Sequence, residues 1–415
     1  MDLTALSQER QDFQVMDEKY GNLPKELVEA LKRCDLLVGR ETLEYAYNLY
    51  DPETGGFYYS ISSRDLEGMT PFAEGTRFMM ENLNAGGIES PDWHKELVGN
   101  WILNHQDESD GYFYEDLWGK TTSGPRIDRD LTYSKGILAY CGMKPLYATP
   151  DERLKNKEDN ATIPDYLKSE ENMIAWLDSM DWTNKRIWGT GQRISSAVVL
   201  IKAAGLDRVV YEYILKKQNP ETALWGDTLD WMSTNGGMKI SSFLKPAGYP
   251  FPNVSKMIDT VLELFASGIP AEHATYIWNP FVLLSNAIST LPEGEREQMR
   301  EKLYANGADI VNFAVDSALK LKRPDGGFSS NLGRAQFTQQ GYLYGLGLTD
   351  ESDVDGTVIA GHRLRATINA TFGVSVSRDY YAGLGDEFWE RCKNKPSIVK
   401  TKMLDDYPDI KALKK

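Results

Sequence analysis

The residues able to do chemistry gather where glycine-rich turns give way to helices. Glu74, Thr76 and Arg77 form one such group, and Arg126, Asp128 and Asp130 a second. Gln192 with Arg193, Lys239 with Ser241, and Tyr276, Trp278 and Asn279 follow. Arg334 with Gln336, then Asp353 with Asp355, complete the series. Glu74, Asp128 and Asp130 offer paired carboxyls for general acid–base catalysis. Arg126, Arg193, Lys239 and Arg334 are cations suited to a sugar carboxylate, and Tyr276 and Trp278 supply an aromatic face beside the Asn279 amide. Together they suit a uronic-acid-containing oligosaccharide. The competing reading makes the same acids helix caps and ion pairs that close structural repeats, since Asp, Ser and Thr favour such positions.

Free N–H groups and the helix dipole make each helix start favourable to anionic or hydroxyl-rich ligands. Several such starts must therefore converge for the residues to act together. The turns that would bring them there recur: Asp51 to Tyr59 reads DPETGGFYY, and Asp325-Gly326-Gly327-Phe328 repeats its core. Looser copies contain Tyr112, Trp188 and Trp225, so the chain reads as about six units of roughly 50 residues, an array of stacked helix pairs. Between turns the apolar spacing is helical. Leu27, Ala30, Leu31 and Cys34 make one stripe after Pro24. Helices are predicted over 72–85, 92–105, 166–180, 192–205 and 207–217, the last of them exposed. Over 253–268, Val254, Met257, Ile258, Val261, Leu262 and Phe265 form the clearest stripe, with Asn253 placed as its N-cap. The stretch 279–290 is almost all apolar, 293–306 is polar, and 147–165 reads as a solvated insertion. This alternation predicts an all-α fold, an (α/α)6 toroid of two concentric helix layers over 24–395. A surface segment at 1–23 and a tail at 396–415 flank it.

The repeat resembles the toroid shared by squalene-hopene-type terpenoid cyclases and protein prenyltransferase β subunits. The Gly-Gly-aromatic turns, the PETALWG variant and SDVDGTVIAGHRLR at 352–365 carry the resemblance. Asp353-Val354-Asp355-Gly356-Thr357 is similar to the DxDD-T motif of class II terpenoid cyclases, whose middle acid protonates an alkene. The resemblance thus implies that role for Asp355, with Gly356 standing where the last acid belongs. Prenyltransferases carry an acid-Val-Asp stretch with a structural role at such a helix start. Their zinc site would also need Cys and His, and GRAQFTQQGYLYGLGL has Gln and Gly there. His94, His105, His273 and His362 show no close ligand spacing, and no GxGxxG, P-loop or GxSxG is present, so neither metal nor cofactor is expected.

A formal charge of −15 argues against nucleic acid. No apolar run is long enough to span a bilayer, and no secretory signal is visible at the start. Three distant cysteines, Cys34, Cys141 and Cys392, do not make a disulfide framework and fit a cytoplasmic protein. A small-molecule substrate is the expected partner. The ranking is therefore a carbohydrate-active enzyme, hydrolase or lyase, then a class II terpenoid cyclase-like isomerase, then a non-catalytic binding toroid.

Overall fold

The computed structural model describes residues 20–121, 124–156, 163–374, 381 and 383–412. Two of the glycine-rich turns share one construction, whereas the copy expected around Trp188 is not a turn but the start of the helix Ile187–Ser196. In the first, Gly55 takes φ +73°, and the backbone N–H of Phe57 donates to Thr76 Oγ1 at 3.0 Å. In the last, Gly326 takes φ +94°, and Phe328 N–H donates to Thr357 Oγ1 at 3.3 Å. Left-handed backbone of this kind favours glycine, and a helix-borne threonine then fixes the aromatic that follows. Single antiparallel bridges, Tyr50 to Phe57, Gln106 to Phe113 and Lys322 to Phe328, fold each of three turns back on the preceding helix.

The described chain is mostly helical. Seven helices matter to the site: α1 (Ala73–Ala85), α2 (Pro125–Tyr140), α3 (Ile187–Ser196), α4 (Trp231–Ala247), α5 (Ala274–Ser289), α6 (Val354–Ala360) and α7 (His362–Thr371). Their packing is cyclic: α1 on α2, α2 on α3, α3 on α4, α4 on α5, α5 on α6 and α7, and these two back on α1. Small residues permit the tightest of these approaches. A Cβ on Gly236 of α4 would lie 2.6 Å from Ile187, and one on Gly191 of α3 would lie 2.7 Å from Lys239 Cβ. Other helices cover this set from outside. Lys25–Asp35 and Val254–Ala266 pack on the long helix Glu293–Leu319, and Asp92–Leu103 packs on α2. Near the cycle's closure, Val354 N–H donates to the Tyr59 carbonyl at 3.0 Å, joining the last turn to the first.

A two-stranded hairpin, β1 (Thr338–Gln339) and β2 (Tyr342–Leu343), reaches over the site. Gln340 and Gly341 both have positive φ, the geometry of the tight hairpin turn that matches strand twist.

Several expected details differ. Asn253 does not cap its helix: it sits at φ 53° with no capping bond, and its side chain donates to Gln218 instead. The helix expected over 192–205 is two, broken at Ala197. The polar helix at 293 continues to Leu319, because its second half turns apolar and is buried. The stretch 147–165 is not simply solvated: Thr149 and Asp151 are buried, and Asp151 takes Lys135 Nζ at 2.6 Å. Within 1–23, residues 1–19 lie outside the described residues, but Tyr20 is buried and donates to Asp35 at 2.7 Å rather than lying on the surface. The 396–415 tail is docked as far as it is described. Its Thr401 N–H donates to the Asp65 carbonyl at 2.8 Å, and Leu404, Tyr407 and Ile410 pack on Leu66, Met69, Leu343 and Leu346.

Candidate functional site

Two adjoining chambers open among these helices. The inner one, about 410 Å³, takes Lys239 from α4, Tyr276, Trp278 and Asn279 from α5, Asp355 from α6 and Arg129 from α2. The hairpin adds Gln339 and Gln340 as a roof. The outer one, about 620 Å³, is bounded by Arg126, Arg186, Trp188, Gly189, Gln192 and Arg193. Trp188, Gln192 and Gln340 border both. Both volumes fall in the range of small-molecule sites.

The inner chamber mixes apolar and aromatic walls with polar groups, several of them without partners. Lys239 has no hydrogen bond or ion pair among the described residues; its ammonium lies 5.7 Å from the Trp188 ring centre. Burial pushes its pKa down to about 7, Arg129 adding to the effect and Asp355 opposing it. Asp355 accepts from Gln339 Nε2 and from Tyr59. Burial raises its carboxyl to about 6, Asp353 adding, with Arg129, Tyr59 and Lys239 opposing. His273 accepts the Thr275 N–H at 3.0 Å, and burial lowers it to about 4, so at neutral pH the imidazole is uncharged. Asn279 donates to Asn235 at 2.8 Å, yet its Oδ1, the Trp278 Nε1 and the Gln192 Oε1 are buried without partners. Orphaned polar atoms cost free energy unless a ligand or water satisfies them.

Beside this chamber lies a closed charge network. Arg126 Nε donates to Asp130 at 2.9 Å, and its Nη1 reaches Glu74, Gln340 at 3.0 Å and the Tyr344 hydroxyl at 2.8 Å. Arg129 donates to Glu74 through Nη2 and Nε, and Trp118 Nε1 donates to Asp130 at 3.0 Å. Two acids thus face two arginines. Glu74 and Asp130 border neither chamber, and Arg126 touches the outer one with most of its donors engaged. Glu115 sits alongside, accepting the Ala73 N–H at 2.7 Å; burial, with Asp130 adding, holds it well above the carboxylate range.

The remaining expected site residues scatter. Asp128 is buried, its carboxyl raised to about 7 by burial alone, and it borders neither chamber. Arg334 donates to the carbonyls of Gly347 and Leu346 at 2.9 and 2.8 Å, which ties down the loop after the hairpin. Asp353 caps α6, accepting the N–H groups of Gly356, Ser330 and Gln336, each at 2.8 Å. Thus Lys239, Tyr276, Trp278, Asn279 and Asp355 share one chamber, and Arg193 lies in the next. Sequence reasoning passed over Arg129, His273, Asn235 and Gln339. Arg129 was legible, since it is one turn from Arg126 and beside two acids. Gln339 depended on a hairpin too short to leave a strand pattern.

The chain matches no protein-family model, and no curated protein matches it either. Among the described residues no group of three His, Cys, Asp or Glu stands where it could hold a metal ion. No described helix is long and apolar enough to cross a membrane.

Proposed function

We propose that the chain is an (α/α)6 toroid whose central cavity holds a carbohydrate-active site for uronic-acid-containing oligosaccharides, working by proton transfer in the manner of a lyase. One observation carries this reading: Lys239, half-buried and unpaired among the described residues, borders the same chamber as Asp355. A lysine brought near neutrality by desolvation is a competent base. Arg129, whose Nη1 makes no hydrogen bond among the described residues, neutralises the substrate carboxylate. Neutral Lys239 removes the proton on the carbon next to that carboxylate. The freed electron pair forms a carbon–carbon double bond as the glycosidic C–O bond breaks. The protonated fraction of Asp355 gives its proton to the leaving oxygen. Trp278 and Tyr276 cover the sugar ring, and the Asn279, Asn235 and Gln192 amides meet its hydroxyls.

A hydrolase with two flanking carboxyls fits less well, because Asp355 is the one carboxyl among the described residues bordering this chamber. The terpenoid cyclase reading also fits less well. Phe78, Trp188, Tyr276 and Trp278 offer the aromatic faces that a carbocation needs, but six amides share the wall and Asp353 is committed to backbone N–H groups. The test is an assay on polyuronides of differing sugar composition. Conjugated unsaturated product should appear by ultraviolet absorbance, with no water gained by mass spectrometry, and Lys239→Met should abolish it. Folded wild type that leaves every uronide intact while cyclising a prenyl substrate would overturn the proposal.

A further inference from the structure

The outer chamber has features that the chemistry of the inner chamber does not use. It is built around the start of α3, a ten-residue helix. The backbone N–H groups of Trp188 and Gly189 lie in its first turn, and neither donates to another group among the described residues. Gly189 keeps this backbone bare: a Cβ added there would meet nothing within 4 Å. Arg186 immediately precedes the helix and Arg193 lies in its last turn; both border the chamber, and neither forms an ion pair among the described residues. Arg193 instead lies over the Trp176 ring, 5.4 Å from its centre. Asp181, the one acid among the described residues at this rim, takes the Thr183 N–H at 2.9 Å and its hydroxyl at 2.8 Å. A helix start alone would mean little. The independent observation is Gln192, 3% exposed, whose Oε1 has no partner and which borders both chambers.

We infer that the outer chamber is a subsite for an anionic group, carboxylate or sulfate ester, on a second sugar ring, so that the substrate is an acidic oligosaccharide of at least two rings spanning both chambers. The inference rests on the carbohydrate reading above and extends it to a substrate length and charge pattern. The two arginines and the free N–H groups of α3 receive the anion. Gln192 Oε1 accepts a hydroxyl near the linkage, and Trp188 lies at the passage between chambers.

Calorimetric titration separates the possibilities. The probes are galacturonate, digalacturonate, a disaccharide carrying one carboxylate, and the same disaccharide bearing a sulfate ester on its neutral ring. They are titrated into wild type, Arg186→Gln and Arg193→Gln. Wild type should bind digalacturonate at least about tenfold tighter than the singly charged disaccharide, the contribution of one charge-assisted contact. Either arginine variant should close that gap. A sulfated probe that matches digalacturonate assigns the subsite to sulfate as well; one that does not restricts it to carboxylate. If sugars bind but the second charge gains nothing, or the gap survives in both variants, the subsite is refuted while the carbohydrate reading stands. If no probe binds wild type, both fall.

Discussion

Asp353 and Asp355 stand two residues apart at the start of α6, and their carboxylates do different work. Asp353 is buried and takes three backbone N–H groups and the Ser330 hydroxyl, so it joins two loops to a helix. Asp355 takes side-chain donors only, from Gln339 and Tyr59, and borders the inner chamber. The motif therefore divides into an acid held by backbone N–H groups and an acid that borders the chamber.

Asp353→Ala should be strongly destabilising. It removes a helix cap, worth about 0.5–2 kcal/mol, and strands buried N–H groups at ~1–3 kcal/mol each. Asp355→Asn keeps the shape and a donor–acceptor group, so its unfolding free energy should lie within about 1 kcal/mol of wild type. Denaturant titrations of both variants check this. Equal stability losses would show that the two acids are not divided as described.

The Glu74–Arg126–Asp130–Arg129 network should respond asymmetrically. Glu74→Gln leaves a buried guanidinium uncompensated and should cost about 3–5 kcal/mol. Adding Arg129→Met to Glu74→Gln restores the balance of charge, so the double variant should recover part of the loss. A double-mutant cycle by chemical denaturation measures the coupling. A double variant weaker by the full sum of the single losses would mean that the residues do not act as one network.

Much of the fold was legible because it rests on local rules. The Gly-Gly-aromatic turns demand positive φ, and Thr76 and Thr357 recur at matching places, so the repeat could be read directly. Helix limits such as 207–217 followed from apolar spacing. Asn253 misled because a residue type common at caps also tolerates left-handed backbone, and here it adopts that backbone. The site was half legible. Lys239, Tyr276, Trp278, Asn279 and Asp355 were singled out by type and by an expected place at helix starts, which Tyr276 and Asp355 hold but Lys239, in the middle of α4, does not. Glu74 and Asp130 were chosen for the same reason, but whether a carboxylate faces a cavity or an arginine depends on α1 packing against α2. That packing joins residues about 50 positions apart, and no local pattern encodes it.

The C-terminal tail should matter to binding as well as to stability. Leu404, Tyr407 and Ile410 pack on Leu343 and Leu346, beside the hairpin whose Gln339 and Gln340 roof the inner chamber. Ending the chain at Lys395 should leave far-UV helicity nearly unchanged while weakening sugar binding severalfold. Calorimetry on the truncated protein tests this, and unaltered affinity would separate the tail from the roof.

Activity should be bell-shaped in pH. The rate falls toward acid as Lys239 gains a proton around 7, and toward alkali as Asp355 loses one around 6, which places the maximum between them. Asp355→Asn should be slower and should lose the alkaline fall, because its amide does not ionise. A kcat/KM profile of both proteins decides it; an unchanged alkaline limb in the variant would remove Asp355 from proton donation.

Lys239 also predicts how stability depends on pH. Its pKa is about 7 in the folded chain against 10.5 when unperturbed. Between those values the unfolded chain binds the proton and the folded chain does not, so this group makes stability rise with pH across that window. Below 7 both states are protonated, and the full desolvation penalty is present. Lys239→Met carries no such penalty and should be more stable than wild type at pH 6, with the gap shrinking steadily as the pH approaches 10.5. Other groups titrate over the same range in both proteins and largely cancel in the difference. Unfolding free energies of the pair, measured by urea titration at several pH values, give the slope directly. A difference that is flat across the window would mean that Lys239 stays fully charged in the folded protein, and it would remove the basis for assigning it the role of base.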